Sequence, residues 1–270
     1  MLNIFDQINQ WIKDFLIGCI TGNLGNMFDE VNTKVGEIAN DVGQTPSGWN
    51  GGVFSMIQNI SETVIIPIAG MILTFVCCYE LIQLIIEKNN LHDVDTWMFF
   101  KWIFKTACAV LIVTNTWNIV MGVFEAAQSV VNSASGIIVS DTSLTFNEHI
   151  AGFEAALAEM EVWSLLGLWL ESVVVHLSMW ALTICIFIIC YGRMIEIYCV
   201  TSIAPIPMAT MMGKEWGGMG QNYLRSLLAL GFQAFLIIVC VAIYAVLVQN
   251  IALEDDIIMA IWSCVGYTVL

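Results

Sequence analysis

Basic residues are scarce in this chain. It carries 8 Lys and Arg against 23 Asp and Glu, a formal net charge of −15 over 270 residues. Nucleic-acid affinity is built on Lys and Arg neutralising phosphates. The balance therefore excludes broad binding to bare nucleic acid, and any such substrate must arrive on a carrier protein or be handled locally. Histidine is rarer still, and His92, His149 and His176 stand apart from one another. No C-x-x-C pair occurs among the nine cysteines. Cys77, Cys78, Cys108, Cys185, Cys190, Cys199, Cys240 and Cys264 lie in or beside apolar runs, where a free thiol acts as a small hydrophobe. Neither a metal site nor a disulfide framework is expected. H-E-x-x-H, a phosphate-binding Gly-Lys-Ser/Thr loop and G-x-S-x-G are all missing, so no catalytic, cofactor-binding or metal-ligating residue is assigned. Gly217-Gly-Met-Gly220 has no strand before it and does not read as a nucleotide site. The start, Met1-Leu-Asn-Ile-Phe-Asp6, lacks a basic n-region, which argues against a cleaved signal peptide.

Apolar surface is what the chain has in excess. Hydrophobic residues make up 59 %, charged residues 11 %, and the mean hydropathy is +0.81. A soluble domain of this length has no use for so much apolar surface. The fold class read from this is all-α: a polytopic helical membrane protein of about five transmembrane helices. The spans fall at about 64–86, 97–120, 163–191, 223–248 and 257–270, within a domain running 53–270. The last run reaches only roughly 21 Å, short of the ~30 Å hydrocarbon core. Its tail is expected to stop inside the bilayer or against a partner, or the natural chain to be longer.

Residues 1–52 read as a separate extracytoplasmic segment. Ile4, Phe5, Ile8, Trp11, Ile12, Phe15 and Leu16 recur at helical spacing, predicting an amphipathic helix over 1–20. It lacks a basic polar face and so suits packing on other helices better than lying on lipid. Residues 21–52, rich in Gly, Asn and Asp, read as a loop with a turn at Thr45-Pro-Ser-Gly48.

Polar residues inside apolar runs are few enough to name. Glu80 and Gln83 share a face of the first span with Glu87, and a carboxylate there faces protein or water rather than lipid. Trp97, Phe99, Phe100, Trp102 and Phe104 open the second span as an aromatic belt, with Lys101 and Lys105 beside it. Asn115 and Asn118 sit late in that span and suit interhelical hydrogen bonds. Glu171 and His176, five residues apart, point about 140° away from each other on a helix, a poor catalytic pair. They face neighbouring subunits or a wet cavity.

Between the third and fourth spans lies the densest polar stretch. Arg193 and Glu196 are three apart on one helix face and read as an ion pair closing a helix end. Pro205 and Pro207 interrupt any helix through them, so 203–212 reads as a re-entrant or cytoplasmic hinge. Gly213, Gly217, Gly218 and Gly220 form a flexible link bracketed by Lys214 and Arg225, with Asn222 beyond it and Gln233 in the next span. Lys88, Lys101, Lys105, Arg193, Lys214 and Arg225 all flank two loops, 87–96 and 191–223. The positive-inside rule makes those loops cytoplasmic, giving an N-out, C-in topology.

Several of these residues also carry a family likeness. Arg193-x-x-Glu-Ile-Tyr198, Ala204-Pro-Ile-Pro207, Lys214-Glu215 and Asn222-Tyr-Leu-Arg225 ahead of Gln233 form one patch. Gly43-x-Thr-Pro-Ser-Gly-Trp49-Asn, Pro67-Ile-Ala, Tyr79-Glu-Leu-Ile and Glu87-Lys-Asn-Asn90 form the other. Together they resemble the TrbL-type polytopic subunit, the class called VirB-six, of type IV secretion and conjugation machines. The version here is similar to those on conjugative elements of Gram-positive bacteria. The resemblance implies a channel or scaffold subunit of the bacterial cytoplasmic (inner) membrane with no enzymatic activity and no cofactor. It implies a homo-oligomer surrounded by lipid, other secretion-system membrane subunits including a bitopic partner outside, and cytoplasmic ATPases. The work implied is passage of single-stranded DNA with its carrier protein. A small-solute transporter built on the broken helix and membrane carboxylates, or a purely structural scaffold, are the alternatives. The chain lacks the two similar halves usual in such transporters.

Overall fold

Backbone groups in lipid must find their hydrogen bonds within the protein, which leaves helices as the way for long apolar runs to cross. A computed structural model describes residues 2–87, 96–141, 150–251 and 263. Among the described residues every regular element is a helix. In chain order these are α1 (Leu2–Val42), α2 (Pro46–Trp49), α3 (Gly51–Ile60), a π turn (Ser61–Ile65) and α4 (Ile66–Glu87). Then follow α5 (Thr96–Thr114), α6 (Thr116–Asp141), α7 (Ile150–Ala158), α8 (Val162–Ser202), α9 (Pro205–Thr210) and α10 (Gly217–Ile251). Four stretches are long and apolar enough to cross a membrane: Gly51–Ile86, Thr96–Thr114, Val162–Ser202 and Gly217–Leu247. The chain is an all-α multi-pass membrane protein. The fifth expected run, 257–270, lies outside the described residues apart from position 263.

The helix bounds differ from the sequence reading in instructive ways. The helix expected over 1–20 continues to Val42 through the supposed loop. Leu16, Ile20, Leu24, Met27, Ile38 and Val42 are all buried, so a stripe at helical spacing persists and burial outweighs the poor helix propensity of Gly and Asn. Pro67 cannot donate within its helix, and a π turn stands just before it, where the Ile66 N–H reaches back to the Ser61 carbonyl. A wider turn accommodates the missing proline N–H. The second span is hitched at Asn115, whose Nδ2 donates to Leu111 O of its own helix at 2.9 Å rather than across to another. Asn118 is exposed. The third span runs unbroken for 41 residues, roughly 61 Å and twice the hydrocarbon thickness.

Two compact units divide the chain. Unit 1 draws on Met1–Gly43, Asn132–Cys190 and Leu236–Leu270; unit 2 comprises Gln44–Val131 and Tyr191–Phe235. In unit 1, Leu16, Ile20, Leu24 and Met27 of α1 pack with Leu165, Leu168, Val175 and Met179 of α8. Asn23 Nδ2 donates to Ser172 Oγ at 3.0 Å, and Thr183 Oγ1 donates to Glu30 Oε1 at 3.4 Å. Both pairings advance in the same sequence direction, so these parts of α1 and α8 run parallel. Unit 2 has two apolar layers. One joins α4, α5 and α9 through Ala69, Leu73, Val76, Ala109, Val113, Met208 and Met212. The other joins α6, α8 and α10 through Val120, Phe124, Met194, Ile197, Leu227 and Leu230.

Candidate functional site

Unit 2 brings residues 45–87 of one motif patch together with the other patch, though more than a hundred residues separate them in sequence. At one end, Thr45 caps α2: its Oγ1 accepts the Gly48 N–H at 3.1 Å, and Pro46 takes the first helical position, where a missing N–H costs nothing. The turn presents Trp49 edge-on to Tyr191, ring centroids 5.4 Å apart, and tilted against Tyr198 at 5.8 Å. The buried Tyr198 hydroxyl donates to Pro46 O at 2.5 Å. Tyr198→Phe removes this bond and is expected to cost about 1–2 kcal/mol. Thermal unfolding of the detergent-solubilised protein measures it, and an unchanged midpoint would count against the bond.

The prolines start a helix as much as they break one. Pro205 opens α9, and Pro207 also lies in its first turn, where backbone N–H groups have no intrahelical partner anyway. Both are buried, with Met208, Ala209 and Thr210, and Met208 and Ala209 pack in the α4–α5 layer. Near the end of α8, Val200 O accepts from the Tyr223 hydroxyl at 3.1 Å.

The link after α9 is a strap, not a flexible hinge. Its residues have partners within a turn and a half of α4. Cys77 Sγ lies 3.3 Å from Met212 Sδ. Gly213 lies so close to Val76 that a Cβ on it would sit 3.2 Å from Val76 Cγ1. The Lys214 N–H donates to Glu80 Oε1, and the Tyr79 hydroxyl donates to Glu215 Oε2 at 2.9 Å while accepting from Gln83 Nε2 at 2.9 Å. Trp216 stacks obliquely on Phe75 at 5.7 Å. Glu80 takes a second donor, Lys105 Nζ of α5, at 3.3 Å; the Glu80 side chain is 13 % exposed and Lys105 44 %. One carboxylate thus ties α4, α5 and the strap, which accounts for a charge inside an apolar run. Lys101 lies over the Trp97 ring at 5.8 Å, beside the belt as its position suggested.

These contacts separate the two ends of the stretch that charge had placed together. Tyr198 packs beside Trp49, just before α3, and Lys214 beside Glu80, near the end of α4. Along the helix from Gly51 to Glu80 that is roughly 44 Å. α9 packs along α4 through Met208 and Ala209 against Ala69, Leu73 and Val76. Arg193 is only 6 % exposed whereas Glu196 is exposed. Asn222 and Arg225 are exposed on the first turns of α10, and Gln233 is half-buried farther along it. In unit 1, Glu171 is half-buried with a shielded Oε2, and His176 is exposed. Sequence reading missed Gln128, buried at 6 % exposure, and the aromatic and sulfur partners of the strap. A glutamine one turn after Phe124 in an otherwise apolar face was the available signal.

Among the described residues no group of His, Cys, Asp and Glu is arranged to hold a metal ion. The chain matches, over residues 31–205, the model of a family described as TrbL/VirB6 plasmid conjugal transfer like protein. It belongs to that family. The match takes in the end of α1, all of α2 to α8 and the opening proline of α9, while the strap and α10 lie beyond it. No curated protein and no solved structure matches the chain. The TrbL/VirB6 assignment makes this a membrane component of a conjugal transfer system.

Proposed function

We propose that the protein is a channel or scaffold subunit in the membrane platform of a conjugative type IV secretion system, seated in the bacterial cytoplasmic membrane. The observation that carries this is the family match across the span helices, joined by a fold that brings both motif patches into one unit. On this reading copies of the chain assemble as a homo-oligomer with other secretion-system membrane subunits and cytoplasmic ATPases. The assembly passes single-stranded DNA bound to its carrier protein. Lys105 and Lys214 lie at the cytoplasmic end of unit 2, and residues 45–50 toward the outer end. Photocrosslinking of the translocating strand during mating tests the channel role. Crosslinks to this subunit support it; full transfer with none supports a scaffold alone.

Orientation has its own test. A single cysteine at Asn40 is expected to react with an impermeant thiol reagent in intact cells, and one at Asn90 to be protected. The reverse pattern would invert the topology. A second expectation concerns Arg193 and Glu196. Removing a buried charge's surroundings or the charge itself disturbs a packed site, while an exposed carboxylate contributes little. Arg193→Ala is therefore expected to lower mating frequency at least about tenfold more than Glu196→Ala at matched membrane abundance. Equal effects would return the two residues to a simple ion pair.

A further inference from the structure

Helix α1 carries apolar residues on two sides. Leu16, Ile20, Leu24 and Met27 pack into unit 1. Ile4, Ile8, Trp11 and Phe15 do not: with Phe5 beside them, they are 49–72 % exposed. At about 100° per residue, the centres of the two sets lie roughly 145° apart around the helix. The second set is therefore no continuation of the first. Trp11 and Phe15 already stack on each other, ring centroids 6.1 Å apart and planes 18° from parallel. The same line runs on through Gly18 and Gly22, where a Cβ would meet nothing within 4 Å.

Successive members of this line, Ile4, Ile8, Trp11, Phe15, Gly18 and Gly22, alternate steps of 4 and 3 residues. That is the a/d seam of a coiled coil, narrower than the face by which a globular helix meets its core. The direction of pairing follows from unit 1. There α1 runs parallel to α8 through the Asn23–Ser172 and Glu30–Thr183 bonds, and α8 is long and apolar enough to cross a membrane. Copies in one membrane hold α8 the same way up, so their α1 helices meet parallel. In a parallel pair Gln7 would face Ile12 and Asp14 would face Cys19 of the other copy, so no like charges meet. At these exposures the five side chains offer on the order of 600 Å² of apolar surface per copy. A pair then clears the roughly 1,000 Å² at which specific interfaces begin. Lipid is the competing cover, but interfacial helices take hold through Lys and Arg. This segment sets two carboxylates, Asp6 and Asp14, against the one ammonium of Lys13. We propose that residues 4–22 of α1 are a contact between two copies of this chain, paired in parallel through Ile4, Ile8, Trp11 and Phe15. Gly18 and Gly22 let the backbones approach closely beyond them. The contact rests on the homo-oligomer reading and is independent of DNA passage.

Disulfide trapping tests it, because a parallel seam sets like positions face to face, within reach of a disulfide. In a chain with its nine native cysteines replaced, Ile8→Cys is oxidised with copper phenanthroline in isolated membranes. Asp6→Cys, also exposed but on the far side of the helix, is the reference. Covalent dimer is expected from Ile8→Cys at least about tenfold faster than from Asp6→Cys. Should Ile8→Cys fail to accumulate, Phe15→Cys takes its place. Equal rates at the two positions, or no dimer, would overturn the pairing. A thiol at position 8 that stays monomeric and is shielded from an impermeant reagent would overturn it in favour of lipid. Mating frequency is measured separately. Full transfer by a monomeric chain would sink this contact and leave the secretion reading standing; full transfer in cells deleted of the protein would sink that reading and leave a trapped dimer intact.

Discussion

Gly220→Ala is expected to strip most of the protein from the membrane and to reduce mating at least about a hundredfold, although Gly-to-Ala in a helix ordinarily stabilises by roughly 1 kcal/mol. The sign reverses because of what lies beside it. A Cβ at position 220 would stand 2.1 Å from Met211 Cγ and 2.6 Å from Pro207 O. Met211 can rotate, but the Pro207 carbonyl is backbone in the first turn of α9 and moves only with that helix. Overpacking of this kind costs typically about 1–3 kcal/mol, and more where backbone must shift. Gly218, two residues earlier in α10, is the internal control: a Cβ there meets nothing within 4 Å. Gly218→Ala is expected to unfold at the same temperature as the parent or slightly above it. If Gly220→Ala melts no lower than Gly218→Ala in detergent, the close approach of α10 to α9 is wrong.

Charge reversal at Glu80 is the second large effect. Glu80→Lys removes the acceptor for both the Lys214 N–H and Lys105 Nζ and sets two ammonium groups near each other. Hydrogen bonds to charged groups contribute about 1.5–3 kcal/mol each, so the strap is expected to detach and transfer to fall at least about tenfold. The compensating double mutant separates the two bonds. Glu80→Lys with Lys105→Glu restores an ion pair, but neither new side chain is the carboxylate on α4 that caps the strap. Little rescue is therefore expected. Recovery of transfer to the parental frequency in the double mutant would show that the Lys105 pair, not the strap, is what Glu80 serves. Protease sensitivity near Lys214, higher in both mutants than in the parent, reads the detachment directly.

Sequence patterns revealed the helical class and the four spans, because apolar runs act locally. The turn at Thr45-Pro-Ser-Gly48 was legible for the same reason. What escaped was whatever depends on a distant partner. The glycines after α9 read as flexibility, yet Gly220 is there for a close approach that only Pro207 and Met211 define. Residues 21–42 read as a loop, since Gly and Asn disfavour helix and only packing on α8 reverses that. Glu80 reads from sequence only as facing protein or water, because its partners lie 25 and 134 residues away, beyond any periodicity. Arg193 and Glu196 share a helix face by spacing, but that Arg193 is buried and Glu196 exposed depends on packing that spacing does not carry.

The bond from Tyr198 to Pro46 spans 152 residues of chain. During synthesis at about 5–20 residues per second, roughly 8–30 s separate the emergence of its two halves. Throughout that interval Trp49 and the Pro46 carbonyl have no tyrosine to meet, and α4 has neither the strap nor α9 against it. The first two spans must therefore wait in the bilayer, or on insertion machinery, as a half-finished product. Locking of unit 2 is a late event that follows the third span, which makes the Thr45–Asn50 turn a checkpoint for assembly: a nascent chain stalled before residue 198 should still be recognisable as incomplete to a membrane protease.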